Sequence, residues 1–246
     1  PMLRFAGAEM SRRKLRKKGT WSGMDWTPVM ISLKTAGVSI AITFFLGIMA
    51  AWMVVSMNND WWKGVVDALF TLPLVLPPTV AGFFLLYLFG VKRPLGRFFI
   101  EYFGVKIVFS WGATVIAAVV MSFPLMYRSA RGAFEQVDPD LCAAARTLGM
   151  SEWAIFRRIL FANALPGIIS GGVLSFARGL GEFGATAMLA GNIAGKTRTL
   201  PMAVYSEVAA GNMEQAYSYV LVITAIAFFS VILINRAKTV TEKKRR

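Results

Sequence analysis

"AGNIAGKT", residues 190–197, satisfies the loose phosphate-loop pattern: a small residue, four intervening positions, then Gly195, Lys196 and Thr197. A working phosphate loop lies between a buried β-strand and a helix, so that loop amides and the helix N-terminus converge on phosphate oxygens. Accepting the match would make the chain an α/β nucleotide-hydrolysing domain. The flanks argue against it. The segment follows an apolar run too long for a strand, Pro201 arrives four residues after Thr197, and no long helix opens there. The match is therefore read as accidental, and the fold is decided by the apolar runs around it.

Those runs dominate the composition. Hydrophobic residues make up 56% of the 246 and charged residues only 16%, against about a quarter charged in soluble domains. Mean hydropathy is +0.57. The formal charge of +14 comes from 27 Lys and Arg against 13 Asp and Glu. These cations gather in the N-terminal stretch, short connections and the tail, as in the charged loops of membrane proteins. A nucleic-acid partner is not expected; membrane lipid is. Histidine is absent and Cys142 is the single cysteine, which leaves no catalytic triad, disulfide or metal centre to propose. The basic N-terminus leads into a full-length span instead of a short removable leader.

Five stretches can cross a bilayer core, for which about 20 helical residues suffice: roughly 27–55, 65–90, 111–131, 164–189 and 216–236. The expected fold is all-α, a polytopic transmembrane bundle. Residues 1–26 form a basic N-terminal segment, 27–236 the transmembrane domain, and 237–246 a basic cytoplasmic tail. Pro73, Pro77 and Pro78 in "LPLVLPPTVAG" (72–82) interrupt the second span and Pro124 the third. Each break is either a packing kink or part of a substrate route.

Between the third and fourth spans, residues 132–163 read as a helix–turn–helix held off the membrane. Asp138 before Pro139 gives an N-cap with proline at the first helical position, Gly149 a stop, and Ser151 a second start. It is either a docking device or an amphipathic helix resting on lipid.

Within it, "AAARTLG" (143–149), nine residues, Ile159 and "LP" (165–166) resemble the EAA loop of ABC-transporter permeases. Ala144, Ala145, Gly149 and Ile159 keep the register. Ala143 replaces the family's Glu and Ala162 a first proline, so the contacts of that Glu do not carry over. "FARGLGEFGATAMLAGNIAGKTRTLPMAVYSEVAAGN" (176–212), "SWG" (110–112), "MSFPLMYRSAR" (121–131) and "LPLVLPPTVAG" closely resemble the molybdate-permease branch. Sulfate and thiosulfate permeases are near relatives, with Tyr where this chain has Phe183.

The resemblance implies a cytoplasmic coupling loop whose candidates are Ala143, Ala144, Ala145, Arg146, Thr147, Leu148, Gly149 and Ile159. It also implies a homodimer, two copies of a separate ABC ATPase that bind ATP and magnesium, and a periplasmic or surface oxyanion-binding protein. The chain itself would bind no cofactor, perform no covalent chemistry, and sit in the bacterial cytoplasmic membrane importing molybdate or tungstate. If the loop is cytoplasmic, residues 190–197 fall on the opposite side, away from ATP. There Lys196 and Arg198 are either steering cations for an oxyanion or ordinary solvated charges.

Arg178 and Glu182 are four apart and can pair on one helical face; the pair is read as a structural bolt, part of a moving gate, or both. Further candidates for gate or pathway are Pro77, Pro78, Thr79, Ser122, Phe183, Gly184 and Thr186. The alternatives are a sulfate or thiosulfate permease, and an ion-coupled carrier, which would show repeated halves and more acidic sites in its spans. Five spans also create a conflict: they put the cations of "SRRKLRKKG" (11–19) outside, against the positive-inside tendency. A fold-back of "LPLVLPP" would change the count.

Overall fold

The computed structural model describes residues 24–245, and all the regular structure among them is helical. The helices are α1 (Thr27–Val55), α2 (Asp60–Val75), α3 (Pro78–Phe89), α4 (Pro94–Phe103), α5 (Trp111–Glu135), α6 (Pro139–Thr147), α7 (Glu152–Leu180), α8 (Gly184–Leu189), α9 (Leu200–Ala209) and α10 (Met213–Arg245). The basic stretch 1–23 lies outside the described residues. Over 237–245 the backbone continues α10.

The span count follows from how α1 meets α5. Thr35 shares a hydroxyl hydrogen bond of 3.0 Å with Thr114, and Thr43 one of 3.2 Å with Ser122. Gly47 lies against Met126. The sequence offset is the same at all three places, so α1 and α5 run parallel. The chain must therefore return across the molecule between Val55 and Trp111. The returning element is the pair α2 and α3, bent by 111° at the break between Val75 and Pro78. Pro77 and Pro78 supply no amide to continue the α2 ladder, and Leu76 and Pro77 are extended. The start of α2 lies beside the C-terminal end of α5, where Lys63 reaches Glu135. The end of α3 lies beside the connection into α5, where Leu85 and Phe89 pack with Ile107, Val108 and Leu189. The bent pair thus crosses once, and the five crossings put residues 136–151 on one face and 181–212 on the other.

The third span is not broken. α5 runs through Pro124, which is buried. The fourth span differs from the expected 164–189 at both ends. Ser151 accepts a hydrogen bond from the Ala154 amide and opens a helix that continues, through a π-helical turn at Phe156–Leu160, to Leu180. The second helix of the loop and the span are one element of 29 residues. Beyond Gly181 the chain turns, and α8 is a separate short helix packed on α3 and α5.

Glycines set how closely α7 approaches α5. A Cβ built at Gly167 would stand 2.6 Å from Ala133 Cβ, and one at Gly171 2.4 Å from Ser129 Cβ. Close backbone approach is how helices gain attraction where lipid provides no hydrophobic drive. Gly171→Leu is expected to cost about 1–3 kcal/mol by overpacking and to lower the Tm of the detergent-solubilised protein. Gly37→Ala, at a position with nothing within 4 Å of the new methyl, is expected to leave the Tm unchanged.

Candidate coupling loop and pathway

α6 starts where the Asp138 carboxylate accepts from the Asp140 amide at 2.9 Å, with Pro139 at the first helical position. It ends at Gly149, whose φ of +76° is a conformation that side-chain-bearing residues rarely adopt. The Gly149 amide donates to Arg146 O and the Met150 amide to Ala145 O. Arg146 spans the turn with two hydrogen bonds to Glu152, of 2.6 and 3.1 Å. Those bonds raise the guanidinium pKa above its ordinary value and fix α6 against the start of α7.

Of the loop candidates, Ala145 is buried, Ile159 half-buried, and Ala143, Ala144, Arg146, Thr147, Leu148 and Gly149 are exposed. Thr147 returns its hydroxyl to Ala144 O at 2.7 Å. Leu148 is 81% exposed and Trp153 60%, so the tip presents apolar surface. The base of the loop is anchored: Trp52 of α1 lies 4.6 Å from the Phe156 ring, and Phe156 stacks with Trp153.

Just inside that base lies a charged group that the sequence reading missed. Arg131 forms ion pairs with Asp67 and, at 2.8 Å, with Glu135. The Tyr127 hydroxyl donates to Asp67 at 2.8 Å. The network pins α2 to α5. Its signal in the sequence is Asp67 within the apolar "VVDALF" (65–70), since a carboxylate inside a span needs a partner.

The pathway candidates lie from the middle of the bundle to its opposite end and are not gathered into one cluster. Pro78, Thr79 and Gly184 meet directly: a Cβ at Gly184 would stand 2.8 Å from Pro78 Cβ and 3.1 Å from the Thr79 amide. Pro77 sits at the bend before them. Arg178 and Glu182 pair at 2.6 Å, but not as neighbours on one helix, because α7 ends at Leu180. Glu182, 2% exposed, also accepts the Ala185 amide at 2.8 Å. It therefore fastens the last turn of α7 to the first turn of α8. Ser122 and Thr186 are wholly buried, and Ser122 belongs to the α1–α5 hydroxyl contacts, with its carbonyl accepting from Ser175. The Phe183 ring packs 5.3 Å from Tyr205.

The phosphate-loop lookalike is a closed turn. The amides of Lys196, Thr197 and Arg198 all point to Ile193 O. The Thr197 hydroxyl accepts from the Ile193 amide and donates to Gly191 O. Those amides are already engaged and cannot cradle a phosphate. The turn lies against Phe109, at the end of the bundle away from α6. Arg198 bonds Asn192 at 2.8 Å, while Lys196 is exposed.

The fastening role of Glu182 can be measured. Arg178→Ala leaves a buried carboxylate without its cation and is expected to cost about 3 kcal/mol. Adding Glu182→Gln is expected to recover at least half of the lost Tm, whereas two independent sites would give additive losses.

Comparison with known proteins agrees with this arrangement. Residues 43–246 match the family described as "Binding-protein-dependent transport system inner membrane component". The "Molybdenum transport system permease protein ModB" of Escherichia coli (strain K12) is 42% identical over 210 residues, covering 85% of this chain and 91% of that protein. The "Probable sulfate transport system permease protein cysT" of Chlorokybus atmophyticus is 32% identical, over 84% of this chain and 71% of that one. Among solved structures, the inward-facing MetNI methionine ABC transporter superposes with a TM-score of 0.63 at 18% identity, over 85% of this chain and 94% of that chain. The chain belongs to the family of binding-protein-dependent transport system inner membrane components and is a multi-pass protein of the cytoplasmic membrane.

Proposed function

We propose that this chain is the permease subunit of an ATP-driven importer whose cargo is molybdate, with tungstate as a close analogue. The cargo reading rests on the 42% identity to ModB across nearly the whole chain. The sulfate permease at 32% supports the second reading, a sulfate or thiosulfate importer.

The mechanical reading is carried by one observation: an exposed apolar loop tip that is continuous with a membrane-crossing helix. On the cytoplasmic side the tip, with Leu148 and Trp153, seats in a groove on a separate ATPase. That partner binds ATP and magnesium, so this chain performs no covalent chemistry. Two copies of the chain enclose the pathway, each with one ATPase, and a binding protein delivers the oxyanion to the face bearing residues 181–212. Closing of the ATPases moves α6, and the Arg146–Glu152 bridge transfers that motion to α7. At about 1.5 Å per residue α7 is a rod of about 43 Å, long enough to carry displacement to Glu182 and α8. A dianion is passed best by hydroxyls and amide dipoles, since a tight cationic pocket would trap it.

The cargo is tested by ATP-dependent uptake of labelled molybdate into vesicles holding the full complex. Competition by tungstate and none by sulfate is the expected result; competition by sulfate with little molybdate uptake would move the chain to the second reading. The docking is tested with Leu148→Asp. The variant is expected to keep the Tm of the isolated subunit and lose co-purification with the ATPase; retained co-purification would contradict the docking.

A further inference from the structure

A cleft of about 660 Å³ opens beside α6, between the C-terminal half of α5 and the N-terminal half of α7. On the volume of liquid water, about 30 Å³ per molecule, it holds on the order of 20 waters. Arg128 projects into it from α5, about 10 Å along the helix from Glu135. Of the other arginines in the crossing helices, Arg131 and Arg178 each hold a carboxylate, while Arg157 and Arg158 are exposed near the loop end of α7. Arg128 is exposed and makes no hydrogen bond or ion pair among the described residues. A charge within a span is costly against lipid, so an unpaired arginine there belongs on a water-filled path.

The rest of the lining fits an anion. Ser129 and Gln136 lie on the α5 side and Ser170 on the α7 side, and no carboxylate lines the cleft except Asp138. Asp138 sits at the mouth, where its carboxylate is turned onto the start of α6. We propose that Arg128 is the cationic docking point for the oxyanion on the cytoplasmic half of the pathway, a way-station between the membrane and release. A guanidinium offers paired donors that match two oxygens of a tetrahedral oxyanion. One such group in a hydrated cleft attracts the ion without caging it, which is what passage requires. This assignment rests on the reading of the chain as an oxyanion permease.

The test is a charge series at position 128 in the full complex with its ATPase and binding protein, reconstituted in vesicles and assayed with labelled molybdate. Arg128→Lys is expected to keep most of the uptake. Arg128→Gln should lose about tenfold, the scale of one charged hydrogen bond, and Arg128→Glu should lose more. All three are expected to keep the Tm of the complex and its ATPase content. Equal uptake by the parent and Arg128→Gln would overturn the assignment, because an arginine that merely reaches toward lipid headgroups is dispensable to cargo. Loss of assembled complex in Arg128→Gln would overturn it too, by making the residue structural. Failure of the parent to carry molybdate would instead remove the permease reading, independently of Arg128.

Discussion

Everything in this bundle depends on α1 and α5 being parallel, and their hydroxyl contacts fix that relation. In a membrane, apolar surface gains little by turning from lipid to protein, so directional bonds and close contacts decide which helices pair and in which register. Thr35 with Thr114 and Thr43 with Ser122 give two bonds at one offset, and Trp111 adds a third by donating to Thr35 at 3.0 Å. A shift by one residue would lose all of them at once. Once the two helices are parallel, an odd number of crossings must lie between them, and the proline-broken pair becomes a span.

The charges inside the bundle serve two different ends. Asp67, Arg131 and Tyr127 hold α2 on α5 near the loop, and Arg178 with Glu182 holds α8 on α7 at the far end. Breaking such a pair leaves one ion stranded in a poorly solvated place, which costs more than making the pair gained. These fastenings therefore favour a few discrete arrangements over a continuous drift. Arg128 is built otherwise: it has no carboxylate partner among the described residues, and it lines an open cleft.

How far the sequence could be read depended on whether a feature was local. The loop was legible because Asp138–Pro139, Gly149 and Ser151 are stop and start signals that act within a turn or two. The flanks of 190–197 already speak against a phosphate loop, and the closed turn gives the physical reason. What escaped were matters of partnership. Pro124 reads as a break by residue type, yet the helix runs through it with the ring buried in the bundle. Arg178 and Glu182 had helical spacing, but Gly181 ends the helix between them, so the pair joins two elements. The sequence offers Ser122 as a pathway hydroxyl but not its partner, Thr43 of α1.

The continuity of α7 has a consequence for what variation the chain can tolerate. Its glycine notches at 167, 171 and 179 each face a particular small residue or hydroxyl on α5 or α1. Inserting a single residue after Leu160 would rotate all that follows by about 100° and advance it by about 1.5 Å. Every notch would then face the wrong neighbour, and the terminal turn would present Arg178 to a different quadrant of the bundle. Substitutions along this rod can be absorbed one at a time, but its residue count cannot change, so related chains that differ in length should carry the difference in the connections on either face.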